Sequence, residues 1–178
     1  MLEYKSTPIK KGANTVEKEI RIKIRSELYE VEESLFSDGS DEDKEIMCDT
    51  NDEYDAEPSV MEINTFGRLT DDGNCVCITY EEDEESGMSG STTTVSYQKS
   101  NPEIVTMTRD GFMSASLVFE ESKRHHCMYK TPYMPFEVCV HTKKVVNTLE
   151  TDGNIDLDYI VEIRGATAER TKFKMKIL

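Results

Sequence analysis

Three histidines, five cysteines, an adjacent Glu81 and Glu82, and one arginine standing in an apolar row are the residues of this 178-residue chain whose types and positions could do chemistry. General acid–base work at neutral pH usually needs a histidine beside a nucleophile or a carboxylate. His125 and His126 are adjacent in an expected loop, and His141 falls on the outward row of a strand with Glu137 and Lys143, so all three read as solvated surface. Glu81 and Glu82 cannot aim both carboxylates at one point, because neighbours on a strand face opposite ways, which argues against a glycosidase dyad built from them. The chain has no Gly-rich phosphate loop, Gly-Xaa-Ser-Xaa-Gly elbow or His-Glu-Xaa-Xaa-His helix. The residues lean away from an enzyme and call for no cofactor.

Metal chemistry fares no better. Cys75 and Cys77 sit two apart on one strand face, but no further Cys or His lies near them in sequence to complete a zinc site. Asp41 and Asp43 begin a calcium-loop pattern, yet Ile46 stands where the turn needs glycine; Asp49 and Asn51 begin another, and Tyr54 stands there. No metal ligands are assigned.

Arg109 is the informative residue. It shares its strand face with Val105 and Met107, so it is expected to point into the interior, where a charge costs several kcal/mol unless it is paired and hydrogen-bonded. Glu82, on the same face as Val76, Ile78 and Tyr80, is a candidate partner, and Tyr129 and Thr131 could supply hydroxyls. Two readings stay open. In one, Arg109 with Tyr80 and Tyr129 holds the carboxylate or phosphate head of an apolar ligand, since arginine presents a planar fork matched to such groups. In the other, Arg109 and Glu82 form an internal pair that fixes register.

These side chains are positioned by strands. Ile155, Leu157, Tyr159, Val161 and Ile163 alternate with Asp156, Asp158, Glu162 and Arg164, then Thr171, Phe173, Met175 and Ile177 alternate with Lys172, Lys174 and Lys176. A period of two with one apolar and one charged row means a sheet wetted on one side. The same signature predicts strands over 19–31, 59–69, 75–82, 91–98, 104–109, 112–121, 127–131 and 136–146. Turns are expected at Asp71 to Asn74, Asp110-Gly111 and Glu121 to Arg124, a break at Asn101-Pro102 and a corner at Pro132 to Pro135, with no helix beyond one turn in a loop. The expectation is an all-β, single antiparallel, mostly up-and-down closed barrel of nine or ten strands, because closure removes the edges that many one-sided strands would expose.

Charge is concentrated. Of the 36 acidic residues, 14 lie between Glu27 and Glu57 against a single Lys44, leaving 20 basic and 22 acidic residues elsewhere and most of the net −15 in one segment. Such a block cannot bury enough apolar surface to offset its ordering entropy, so 37–58 is expected as a disordered acidic loop inserted in a single domain spanning 1–178. No apolar run is long enough to span a bilayer and no secretory leader is evident, and five cysteines without a Cys-Xaa-Xaa-Cys pair suit a reducing cytoplasm. The rows Arg21, Lys23, Arg25 and Lys172, Lys174, Lys176 would form a basic stripe. Acidic neighbours and the acidic arm compete for it, so nucleic acid is not the expected partner.

The ordered set ITYEE (Ile78 to Glu82), a Thr-rich strand, MTRDGFM (Met107 to Met113), YKTPY (Tyr129 to Tyr133), a valine-rich strand ending in Thr142, and GNIDLDY (Gly153 to Tyr159) resembles the YwiB-like family, domain of unknown function 1934. The resemblance runs from about Thr65 to Leu178. It implies a calycin-like, lipocalin-type β-barrel from a bacterial cytoplasm, without an established biochemical role. Met134 stands where the family pattern has glycine, the acidic insertion is longer than the family's, and the absence of Trp removes the Gly-Xaa-Trp hallmark of lipocalins. Taken together, the expectation is a non-catalytic barrel that binds a small apolar or amphipathic anionic ligand through Arg109, Tyr80, Glu82, Tyr129 and Thr131. The alternative is a protein-interaction or assembly module with a side-chain-filled barrel, and an open edge near Tyr129 to Pro135 would suit a homodimer.

Overall fold

A computed structural model of the chain describes residues 15–31, 57–84, 86, 88–163 and 168–178. Its strands are β1 (Val16–Val31), β2 (Ser59–Asp71), β3 (Cys75–Glu81), β4 (Thr92–Gln98), β5 (Asn101–Asp110), β6 (Ala115–Phe119), β7 (Arg124–Lys130), β8 (Pro135–Thr148), β9 (Asn154–Ile163) and β10 (Ala168–Ile177), with one helical turn, α1 (Leu149–Asp152), before β9. The sheet order is β6-β5-β4-β3-β2-β1-β10-β9-β8-β7, all antiparallel. This is the sequence order run around a circle, so the topology is an up-and-down meander whose early strand β1 pairs with its late strand β10. The two outer strands meet at a single bridge, where the Ser114 and Lys130 N–H groups each donate to the other's C=O at 2.9 and 2.8 Å. The expected all-β barrel is therefore present, with ten strands among the described residues and a nearly closed wall.

Alternation sets which row goes inside. Val76, Ile78 and Tyr80 on β3, and Thr93, Val95 and Tyr97 on β4, are buried while their neighbours face out. Ile22, Ile24, Val105, Phe119, Ile155 and Met175 are fully buried in the shared core. On the outer face, Arg170 pairs with Asp158 through two bonds at 2.9 and 2.7 Å, the bidentate geometry arginine favours. The Asp71 to Asn74 turn is held by the Asp72 carboxylate, which accepts the N–H groups of Asn74 and Cys75 at 2.9 and 2.7 Å. That local capping explains why this turn was readable from sequence.

Some expectations are corrected. Asn101-Pro102 opens β5 rather than breaking the chain: Lys99 and Ser100 make the turn, and proline at the start of a strand forfeits little because its missing N–H is not needed there. His125 and His126 lie on β7, not in a loop. The turn expected at Glu121 to Arg124 is present, with Ser122 at a left-handed φ of 62°, but the strand after it begins at Arg124, three residues before Cys127. His125 Nε2 stands 3.2 Å from Glu120 and His126 Nδ1 3.3 Å from Glu137, so both contact surface carboxylates. His141 is half-buried instead of solvated; burial, with Arg124 and Lys143 nearby, lowers its pKa. Most of the acidic 37–58 segment, including both calcium-loop fragments, lies outside the described residues, which resume at Glu57 and enter β2 at Ser59. No helix among the described residues is long and apolar enough to cross a membrane.

Gly111 follows β5 with a φ of 150°, and a Cβ there would lie 2.7 Å from the Ser91 Cα and 2.6 Å from its Oγ. Backbone cannot yield as a flexible side chain would. Gly111→Ala is expected to destabilise the fold by about 1–3 kcal/mol, read as a lowered urea midpoint with an unchanged m-value.

Candidate functional site

Three neighbouring strands carry the polar cluster inside the barrel. Register places Thr93 on β4 directly between Tyr80 on β3 and Arg109 on β5, so one interior row crosses three strands with a phenol, a hydroxyl and a guanidinium. Glu82 follows β3 and is buried, because its N–H is tied to the Ser91 C=O at 2.8 Å where the β3–β4 hairpin begins to diverge. The Thr93 hydroxyl donates to Glu82 Oε1 at 2.6 Å, Arg109 Nε donates to Thr93 Oγ1 at 3.3 Å, and Arg109 Nη2 stands 3.6 Å from the same carboxylate oxygen. The last distance exceeds that of a good charge-assisted hydrogen bond. Thr93, fully buried, thus mediates between two charges whose side chains are only 15% and 4% exposed.

A guanidinium has five N–H donors, so contacts to Thr93, Glu82 and Tyr129 still leave Arg109 donors where it borders open space. That space is a cavity of about 680 Å³. Ile24, Met107, Leu117, Val161 and Phe173 form much of its apolar lining, and Tyr80, Glu82, Arg109, Tyr129 and Tyr159 are among its polar lining residues, with Glu169 and Thr171 on β10. Val60 and Ile163, on its rim, are 48% and 37% exposed, so the cavity opens to solvent on that side.

The phenols are neutral donors at physiological pH. Burial raises Tyr80, with Glu82 adding to the rise and Arg109 and Thr93 offsetting part of it. Burial likewise raises Tyr129, and the Arg109 guanidinium pulls it partly back. Burial pushes Tyr159 up to about 12, helped by Tyr129 and opposed by Thr171 and Arg109. Tyr159 packs its ring 4.6 Å from that of Phe119, and Tyr129 stacks 5.6 Å from Phe136, which fixes both rings on the cavity wall.

The structure brings together Arg109, Tyr80, Glu82 and Tyr129, four of the five residues singled out from sequence. It does not bring in Thr131. That hydroxyl donates to the Met134 C=O at 2.8 Å and accepts the N–H groups of Tyr133 and Met134, so it builds the corner between β7 and β8. Sequence reasoning missed Thr93 and Tyr159. Thr93 had a signal, a hydroxyl in the same inward row as Val95 and Tyr97, while Tyr159 was visible only as one more apolar residue of its strand. Cys75 and Cys77 do share the outer face of β3, with their sulfurs 3.6 Å apart. No group of three or more His, Cys, Asp or Glu suited to a metal ion occurs among the described residues.

Comparison with known proteins gives two matches. The family described as a domain of unknown function (DUF1934) matches residues 46–175, from before β2 to within β10. The crystal structure of the YwiB protein from Bacillus subtilis superposes with a TM-score of 0.61 at 18% identity, covering 91% of this chain and 93% of that one. At that identity the likeness establishes the fold. No curated protein matches the chain.

Two outcomes follow from the cluster. Thr93→Val removes the hydroxyl between Glu82 and Arg109, leaving a buried carboxylate short of a donor, and is expected to cost about 1–3 kcal/mol in urea denaturation. A raised native pKa means the folded state keeps its proton longer than the unfolded chain. The stability that Tyr159 contributes is therefore complete below its ordinary pKa of 10 and is lost as pH climbs towards about 12. Phenolate absorbance should show late-titrating tyrosines whose ionisation coincides with unfolding, whereas ordinary titration of every phenol in the folded protein would contradict this burial.

Proposed function

The chain belongs to the DUF1934 family, and from that premise we propose that its barrel is a non-catalytic container for a small amphipathic ligand with an acidic head. The cavity carries this reading. About 680 Å³ of unfilled space lies within the roughly 300–1,000 Å³ range of small-molecule pockets, and its mostly apolar lining with a few convergent polar groups is their usual composition. The ligand's apolar body lies against Met107, Leu117 and Phe173, and its carboxylate or phosphate head meets the Arg109 fork with Tyr80 and Tyr129 as further donors. Glu82 sets the charge of that head. Because its carboxylate lies beside the guanidinium and repels further negative charge, a head with one negative charge fits better than a dianion. Thr93 takes the place expected for Thr131.

Setting and class follow the same chemistry. Cys75, Cys77, Cys127 and Cys139 are free thiols, which fits a reducing, cytoplasmic compartment. No histidine lines the cavity among the described residues, and its phenols hold their protons at neutral pH, so the group of the polar cluster that could act as a base is Glu82, already engaged by Thr93 and Arg109. A second reading, an interaction module whose Arg109–Glu82 pair is purely internal, draws on exposed apolar side chains: Tyr133, Met134 and Phe112 are 90%, 66% and 64% exposed.

Anilinonaphthalene sulfonate, an amphipathic monoanion, tests the container. It should bind the full chain at one site and be displaced by decanoate. The double substitution Arg109→Met with Glu82→Gln, which removes both charges together and spares the fold, should weaken binding about tenfold. Displaceable binding that ignores the double substitution would overturn the Arg109 site, and no saturable binding at all would leave the interaction-module reading standing.

A further inference from the structure

The outer edge of β2 has no strand beside it for much of its length. β2 pairs with β1 over 59–71 but with β3 only over 67–71, since β3 ends at Glu81 and the hairpin turns away with Glu82. Among the described residues, 59–66 therefore present one row of backbone N–H and C=O groups without a ladder partner. Natural sheets blunt such edges with lysine, proline or a bulge. None occurs within 59–66, and the only charge there, Glu62, is drawn to Lys23 at 2.6 Å and Arg25 at 3.5 Å on the side of β1.

We propose that this edge pairs with the same edge of a second copy of the chain, antiparallel about Ile63. Self-complementarity selects the occupant. With Ile63 opposite Ile63, Glu62 meets the Asn64 amide, Met61 meets Thr65 on the inner face, and Val60 meets Phe66 on the outer face. The two-fold axis makes each of the last three pairs twice. Val60 and Phe66 are among the large apolar side chains left exposed on the isolated chain, at 48% and 65%. In this register each covers the other. The adjacent same-face registers fail: centring on Glu62 sets two carboxylates face to face, and centring on Asn64 sets Val60 against Arg68 and Glu62 against Phe66. Because 59–63 also border the cavity, the partner's strand would extend the barrel wall on its open side. The pairing does not depend on what the cavity holds.

Sedimentation velocity of the full chain over a range of concentrations is the test, with amide exchange as a second readout. The wild type should show a monomer–dimer equilibrium, and 59–66 should gain protection as concentration rises. Asn64→Glu changes an exposed side chain and places a new carboxylate opposite Glu62 at two symmetric positions, so it should weaken the dimer roughly tenfold. Adding Glu62→Gln to that variant should restore it. A chain that stays monomeric throughout, or a dimer indifferent to Asn64→Glu, overturns the proposal.

Discussion

The contact among Glu82, Thr93 and Arg109 governs the interior of this barrel. A largely oily interior holds a buried acidic and a buried basic side chain side by side, and neither can be removed alone without stranding the other in a poor solvent. A hydroxyl between them does most of the hydrogen bonding, so the two charges are held near each other without closing into a tight pair. The looseness has a chemical meaning. A fully forked arginine–carboxylate pair would have little left to offer a third party, whereas this guanidinium retains donors beside open space.

Strand order makes that contact possible. Thr93 reaches both charges because β4 lies between β3 and β5 in an uninterrupted meander, which brings residues 11 and 16 positions apart into one row. Where the ladder between β2 and β3 stops, at Gly67 and Tyr80, the wall parts and Glu82 sits just beyond the last rung. The polar cluster thus occupies the boundary between the filled half of the barrel and the half that holds the cavity. Filled and open regions are parts of one wall, separated by the point at which a hairpin diverges.

Much of this was legible in the residues. Strict alternation in β9 and β10 located the inward rows, and the single basic side chain in the row of Val105 and Met107 located the site. Alternation assigns a face but not a depth, so Thr131 could be placed on an inward row without any sign that its hydroxyl would be consumed by the corner at Met134. Turns resisted for a related reason. Asp72 announces its turn by capping it, whereas Lys99-Ser100 carries no such signature, which is why Pro102 was assigned to the wrong side of a boundary; the turn around Ser122 was expected, but its polar flank hid that β7 already starts at Arg124 and takes in His125 and His126. The size of the cavity was beyond reach, because volume depends on how ten strands tilt and which side chains meet across the tube.

The ladder between β1 and β10 joins Ile22 to Ile177, so the rung that seals the cylinder couples nearly the first strand made to the last. Neighbouring hairpins elsewhere can form while the polypeptide is still emerging from the ribosome, since each requires only local loop closure. β1 has to wait. Until synthesis reaches β10, the far edge of β1 stays unsatisfied in the crowded cell, and the nascent chain is at its most vulnerable to misassociation.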